Sequence, residues 1–68
     1  MKYEVIIYWS KPDRAFIAEV PELPGCMADG KTKAEALTAV ERVAEEWFET
    51  ARQLKRKVPI PRGRLMSA

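Results

Sequence analysis

Between Thr32 and Leu54, apolar residues fall at positions 36, 37, 40, 43, 44, 47, 48, 51 and 54, the spacing that draws one continuous stripe along a helix of about six turns. Thr32-Lys33-Ala34-Glu35 opens this helix as a capping box: the Thr32 hydroxyl accepts from the Glu35 amide, and the Glu35 carboxylate reaches back to the Thr32 amide. An apolar stripe of that length must be covered, and the rest of the chain offers a sheet to cover it. The opposite side of the helix carries Thr38, Glu41, Arg42, Glu45, Glu46, Glu49 and Arg52. Glu41, Glu45 and Glu49 stand four residues apart, a mildly repulsive column that is either solvated or meets something basic.

The strands lie ahead of the helix. Residues 2–10, KYEVIIYWS, alternate, with Tyr3, Val5, Ile7 and Trp9 on one face and Glu4, Ile6 and Tyr8 on the other. Pro12 and Asp13 make a turn, residues 15–20 alternate again, and the two runs form an antiparallel hairpin. Pro21 stops the second strand, and residues 26–29, bounded by Gly25 and Gly30, make a third. Beyond Leu54, Pro59 and Pro61 forbid helix and fix an extended path, where residues 58–60 are placed to add a short edge strand. The expected fold class is α+β: a three-stranded antiparallel sheet packed by one long helix, with an optional short fourth strand (β-β-β-α-β).

Sixty-eight residues, 47% hydrophobic and 32% charged, describe one globular domain with a thin core rather than a disordered chain. One cysteine forms no internal bridge, so the stability that disulfides give other small domains is expected from self-association, as a dimer or tetramer, and a reducing cytoplasmic location is expected. No run approaches the roughly 18 apolar residues of a membrane span, and no signal peptide is seen, so no membrane contact is expected. Charge is divided along the chain: six basic residues oppose ten acidic ones up to Ala51, a net −4, while from Arg52 onward six basic residues stand alone, a net +6. Residues 1–61 are read as the domain and 62–68 as a flexible basic tail.

The stretch VPELPGCMADGKT, residues 20–32, holds two prolines and two glycines around the one cysteine. Pro21 and Pro24 preset backbone angles and Gly25 relieves steric cost, so the segment turns out of one strand and into the next. With Gly30, Thr32 and Glu35, these are the structural turn and cap residues. The same rigid loop is placed to present Glu22 and Leu23 to a partner at little entropic cost. Cys26 lacks the base a nucleophile needs, since the chain has no His, and it reads as a small buried hydrophobe. No second Cys or His completes a zinc site, and no cofactor is expected. Trp47 and Phe48 belong to the apolar stripe, while Tyr8 and Trp9 fall on opposite faces of the first strand, which leaves one of them exposed.

The order Tyr3-x-Val5, then Phe16-Ile17-Ala18-Glu19-Val20-Pro21-Glu22-Leu23-Pro24-Gly25-Cys26, then Gly30-x-Thr32-x-x-Glu35-Ala36-Leu37, resembles the HicB-type antitoxin family and its stand-alone HicB-like domains over residues 1–61. The resemblance implies a partial RNase H-like fold and a non-enzymatic role: binding a small, basic, HicA-like mRNA-cleaving toxin and covering its active surface. The residues after Pro61 leave no room for the DNA-binding domain many members carry, so autorepression through such a module is not expected.

RNase H chemistry needs several carboxylates converging on two metal ions. Glu4 and Asp29 on the sheet, with Glu41 or Glu45 from the helix, make too thin a set, and catalysis is not expected. The partner-binding residues expected are Glu22, Leu23, Glu41, Glu45 and Glu49. The alternative is a solitary oligomeric domain that binds nucleic acid through Arg52, Lys55, Arg56, Lys57, Arg62 and Arg64, which can neutralise phosphates but lack interleaved aromatics for base stacking.

Overall fold

The computed structural model describes residues 2–61. Three strands, β1 (Ile6–Ser10), β2 (Ala15–Glu19) and β3 (Met27–Gly30), precede one helix, α1 (Lys33–Gln53). The sheet order is β1-β2-β3 and both pairings are antiparallel, with Ile7 opposite Ala18 and Ala18 opposite Ala28. This is the expected α+β arrangement, with α1 lying over β3 and β2 more than over β1.

Register sorts the side chains. Ile7, Trp9, Phe16, Ala18 and Ala28 share the face toward α1, while Ile6, Tyr8, Ile17, Glu19, Met27 and Asp29 share the outer one. The core between sheet and helix joins Ala18, Val20, Leu23 and Cys26 to Ala36, Val40 and Ala44, all buried, with Tyr3, Val5, Ile7, Phe16, Val43, Trp47 and Phe48 packed around them. Alanines at the centre let the helix sit close on the sheet. Its outer partners are large rings, with Tyr3 and Phe48 centred 5.5 Å apart and Trp47 and Phe48 5.8 Å apart.

Element ends depart from expectation in several places, with β2 stopping at Glu19 rather than Val20 and β3 running on to Gly30 rather than Asp29. β1 begins at Ile6 rather than Lys2, because its partner β2 ends at Glu19, opposite Ile6, and the ladder runs no further. β3 starts at Met27, one residue late, because Cys26 spends its backbone groups on the preceding loop: its N–H donates to Leu23 and its C=O accepts from Val20. Residues 58–60 form no fourth strand. Pro59 and Pro61 have no N–H to give a ladder, and the segment is held instead by the Tyr3 hydroxyl, which donates to the Pro59 carbonyl. The tail at 62–68 lies outside the described residues.

The helix starts at the expected cap: Thr32 is the N-cap, and its Oγ1 accepts from the Glu35 amide at 3.1 Å, which is the one of the two expected capping-box bonds that is formed. Its end uses a device that leaves little trace in the sequence. Lys55 takes a left-handed φ of 54°, its N–H donates to Arg52, and the Arg56 N–H donates to Ala51. That bond pair is the Schellman motif, in which glycine is the favoured left-handed residue. Lys55→Gly is therefore expected to stabilise the protein by about 0.5–1 kcal/mol, raising the midpoint of a thermal melt by a few degrees. A lowered midpoint would contradict the assigned conformation.

Candidate partner-binding surfaces

Four surfaces carry the residues singled out from sequence, or should have. The first is the loop after β2. It is two turns placed back to back: the Leu23 N–H donates to Val20 at 3.0 Å, and the Cys26 N–H donates to Leu23 at 2.9 Å. Pro21 and Pro24 each follow the first residue of a turn, and Gly25, at φ 80°, takes the left-handed position of the second. A bond from the Val20 N–H to the Cys26 carbonyl closes the unit, and the Trp47 Nε1–H donates to the Pro24 carbonyl at 3.0 Å, tying the loop to α1.

Leu23 is the shared corner of both turns, and it points inward. It is 0% exposed and is one of the three largest fully buried side chains. The expectation that the loop offers Leu23 to a partner is thus corrected: the turns aim it into the core, while its half-buried neighbour Glu22 and the exposed Pro21, Pro24 and Gly25 reach the surface. Cys26 is 2% exposed, and burial pushes its thiol up from the ordinary range, so the neutral form is held in the core. That direction is opposite to the one a nucleophilic thiolate needs.

The second surface is the back of α1, where Glu41, Glu45 and Glu49 are all exposed. Glu49 pairs with Arg52 one turn on, and both side chains are more than half exposed, so the pair adds little to stability. The third is the C-terminal end of α1. Arg52, Lys55, Arg56 and Lys57 are exposed there, while Arg62 and Arg64 lie outside the described residues.

The fourth surface was not singled out from sequence. On the outer face of the sheet, Ile6 is 39% exposed, Tyr8 42% and Met27 49%, around half-buried Ile17. Glu19 and Asp29 share that face. The signal was present in the alternation of β1, which sets Ile6 and Tyr8 opposite Ile7; its meaning depended on which face the single helix covers. Trp9, on the helix side, is also 53% exposed, because α1 leaves β1 largely uncovered. Its ring meets Phe16 edge-on at 5.0 Å. Both aromatics at the end of β1 are therefore exposed, rather than one.

The sheet acids do not converge. Asp29 lies across two strands from β1, level with Tyr8, and Glu4 precedes β1, a separation of more than about 10 Å by strand spacing alone. Among the described residues, no three His, Cys, Asp or Glu side chains stand together as a metal site. Nor is any described helix long and apolar enough to cross a membrane.

A family model described as UPF0150-like matches residues 2–61 of this chain. Among curated proteins, the chain is similar to UPF0150 protein Ta0767 of Thermoplasma acidophilum, at 39% identity over 59 residues that cover 87% of this chain and 84% of the relative. It is equally similar to UPF0150 protein ssl0259 of Synechocystis, at 39% identity over 59 residues, covering 87% and 80% of the two chains. No solved structure matches it.

Proposed function

The chain belongs to the UPF0150-like family, and on that footing we propose that it is a non-enzymatic protein-binding module of the HicB antitoxin kind. Its partner is a small, basic, HicA-like mRNA-cleaving protein, which it neutralises by covering the partner's RNA-binding and active surface. The observation that carries this reading is the exposed acidic column Glu41, Glu45 and Glu49 on a helix anchored by a cap at each end. A fixed row of carboxylates is a competitor for cations that would otherwise hold RNA phosphates.

Charge of this kind governs approach and choice of partner, while buried apolar anchors supply most of the affinity. Reversing Glu41, Glu45 and Glu49 to Lys together is expected to slow association with a small, basic, HicA-like protein by at least about tenfold, with the melting temperature little changed because all three are exposed. Stopped-flow mixing at several salt concentrations reads that rate. A complex that forms equally fast after the reversal, or no complex with such a protein, would overturn the reading.

A second reading rests on the exposed cluster Arg52, Lys55, Arg56 and Lys57. Those cations give the solitary domain a contact for nucleic acid phosphates. The two readings part on salt: phosphate binding falls steeply as salt rises, whereas a complex with buried apolar anchors persists.

A further inference from the structure

Eight large apolar side chains are exposed among the described residues, and six of them fall into two patches. Ile6, Tyr8 and Met27 lie on the outer face of the sheet, and Leu54, Val58 and Ile60 lie on the segment that follows α1, exposed by 56%, 41% and 81%. The patches have opposite charge. The strand positions of the outer face include Glu19 and Asp29 and no Lys or Arg. In the segment, Lys55, Arg56 and Lys57 separate Leu54 from Val58.

A chain does not cover its own outer face with its own segment. Left-handed Lys55 turns the backbone out of the helix, and Pro59 is then held by the hydroxyl of Tyr3, whose ring stacks on Phe48 of α1. That anchorage sits on the helix side of the sheet. Packing two outer faces against each other fails for a different reason: Glu19 and Asp29 would be buried against acidic copies of themselves, and like charges brought together cost several kcal/mol. Setting the segment of one copy on the outer face of another satisfies both patches at once.

We infer that the outer face of the sheet is the docking surface for residues 54–60 of a second copy of this chain. Val58 and Ile60 cover Ile6, Tyr8, Ile17 and Met27, and the cations of the segment neutralise Glu19 and Asp29. Exchange in both directions closes a twofold pair rather than an open filament. Pairing also adds apolar burial that a single thin core lacks. The inference goes beyond the partner reading and is tested with this chain alone, so failure of one leaves the other standing.

The test is sedimentation of the full chain and of two variants, Tyr8→Asp on the face and Ile60→Asp on the segment. Both positions are exposed, by 42% and 81%. The wild-type chain is expected to pair, and each variant to raise its dissociation constant at least about tenfold, the loss of a central anchor. An equimolar mixture of the two is the decisive sample. One variant keeps an intact face and the other an intact segment, so a heterodimer held by one of the two contacts is expected to return. A monomeric wild type, pairing unaffected by Ile60→Asp, or a mixture that stays monomeric would each overturn the inference. If Tyr8→Asp lowers the melting temperature, Asp29→Lys with Lys57→Glu repeats the experiment at exposed charges, with the same outcomes.

Discussion

Leu23→Asp is expected to abolish cooperative unfolding, leaving a chain whose helical signal fades gradually with urea. Leu23 is wholly buried at the junction of two turns, within a core otherwise built largely from alanine and valine. Burying a leucine contributes about 1.5–3 kcal/mol by transfer alone, and truncating one to alanine in a packed core costs about 2–5 kcal/mol once the cavity is counted. A single core in a domain this small rarely supplies more than about 3–5 kcal/mol. Leu23→Ala is thus expected to remove most of the stability, and an aspartate there adds the desolvation of a carboxylate with no cation in the core to meet it. Leu23→Met, which conserves volume, is expected to keep the transition with a loss under about 1.5 kcal/mol. Circular dichroism against urea, at fixed protein concentration, orders the three. A folded Leu23→Asp variant would show that the leucine lies outside the core. Partner binding lost in that variant would report unfolding and carry no information about an interface.

What the sequence disclosed follows from how local each signal is. The helix was legible almost to the residue because its cap is a side-chain contact three residues long and its stripe repeats over six turns; α1 runs from Lys33 to Gln53 between the cap residues Thr32 and Leu54. The hairpin was legible for the same reason. The β1 start was not, because a strand needs a partner, and where β2 stops pairing is a property of two segments rather than one. The fourth strand failed on chemistry visible in the sequence, two prolines in a run of four. The candidate site was less legible than the fold. Proline and glycine around Leu23 announced a rigid loop, but the direction in which a turn aims its corner residue depends on the layer beneath it. Likewise Ile6 and Tyr8 were assigned to a common face, yet that face became a surface only because the single helix lies on the other side.

Gly30→Ala is expected to cost about 2–4 kcal/mol, although alanine is normally the better residue in an ordered segment. Gly30 ends β3, where the strand passes under the first turn of α1. A Cβ there would lie 2.4 Å from the Ala36 amide nitrogen and 2.8 Å from the Glu35 carbonyl carbon. Both are backbone atoms, so no rotamer change relieves the overlap. The helix start must lift by roughly 1 Å to restore ordinary contact, which opens the seam between β3 and Ala36 and Val40, both wholly buried. Gly25 provides the contrast. It has no atom within 4 Å of its added Cβ but holds φ at 80°, so Gly25→Ala is charged only for a left-handed alanine, about 1–2 kcal/mol. Urea midpoints of the two variants should therefore separate, with Gly30→Ala the lower. Removing the third close neighbour, the Glu35 side chain at 2.8 Å, should rescue little, since Gly30→Ala with Glu35→Gly still meets the helix backbone. Equal midpoints, or recovery in the double variant, would mean that strand and helix are not in contact at this point and that α1 sits higher on the sheet.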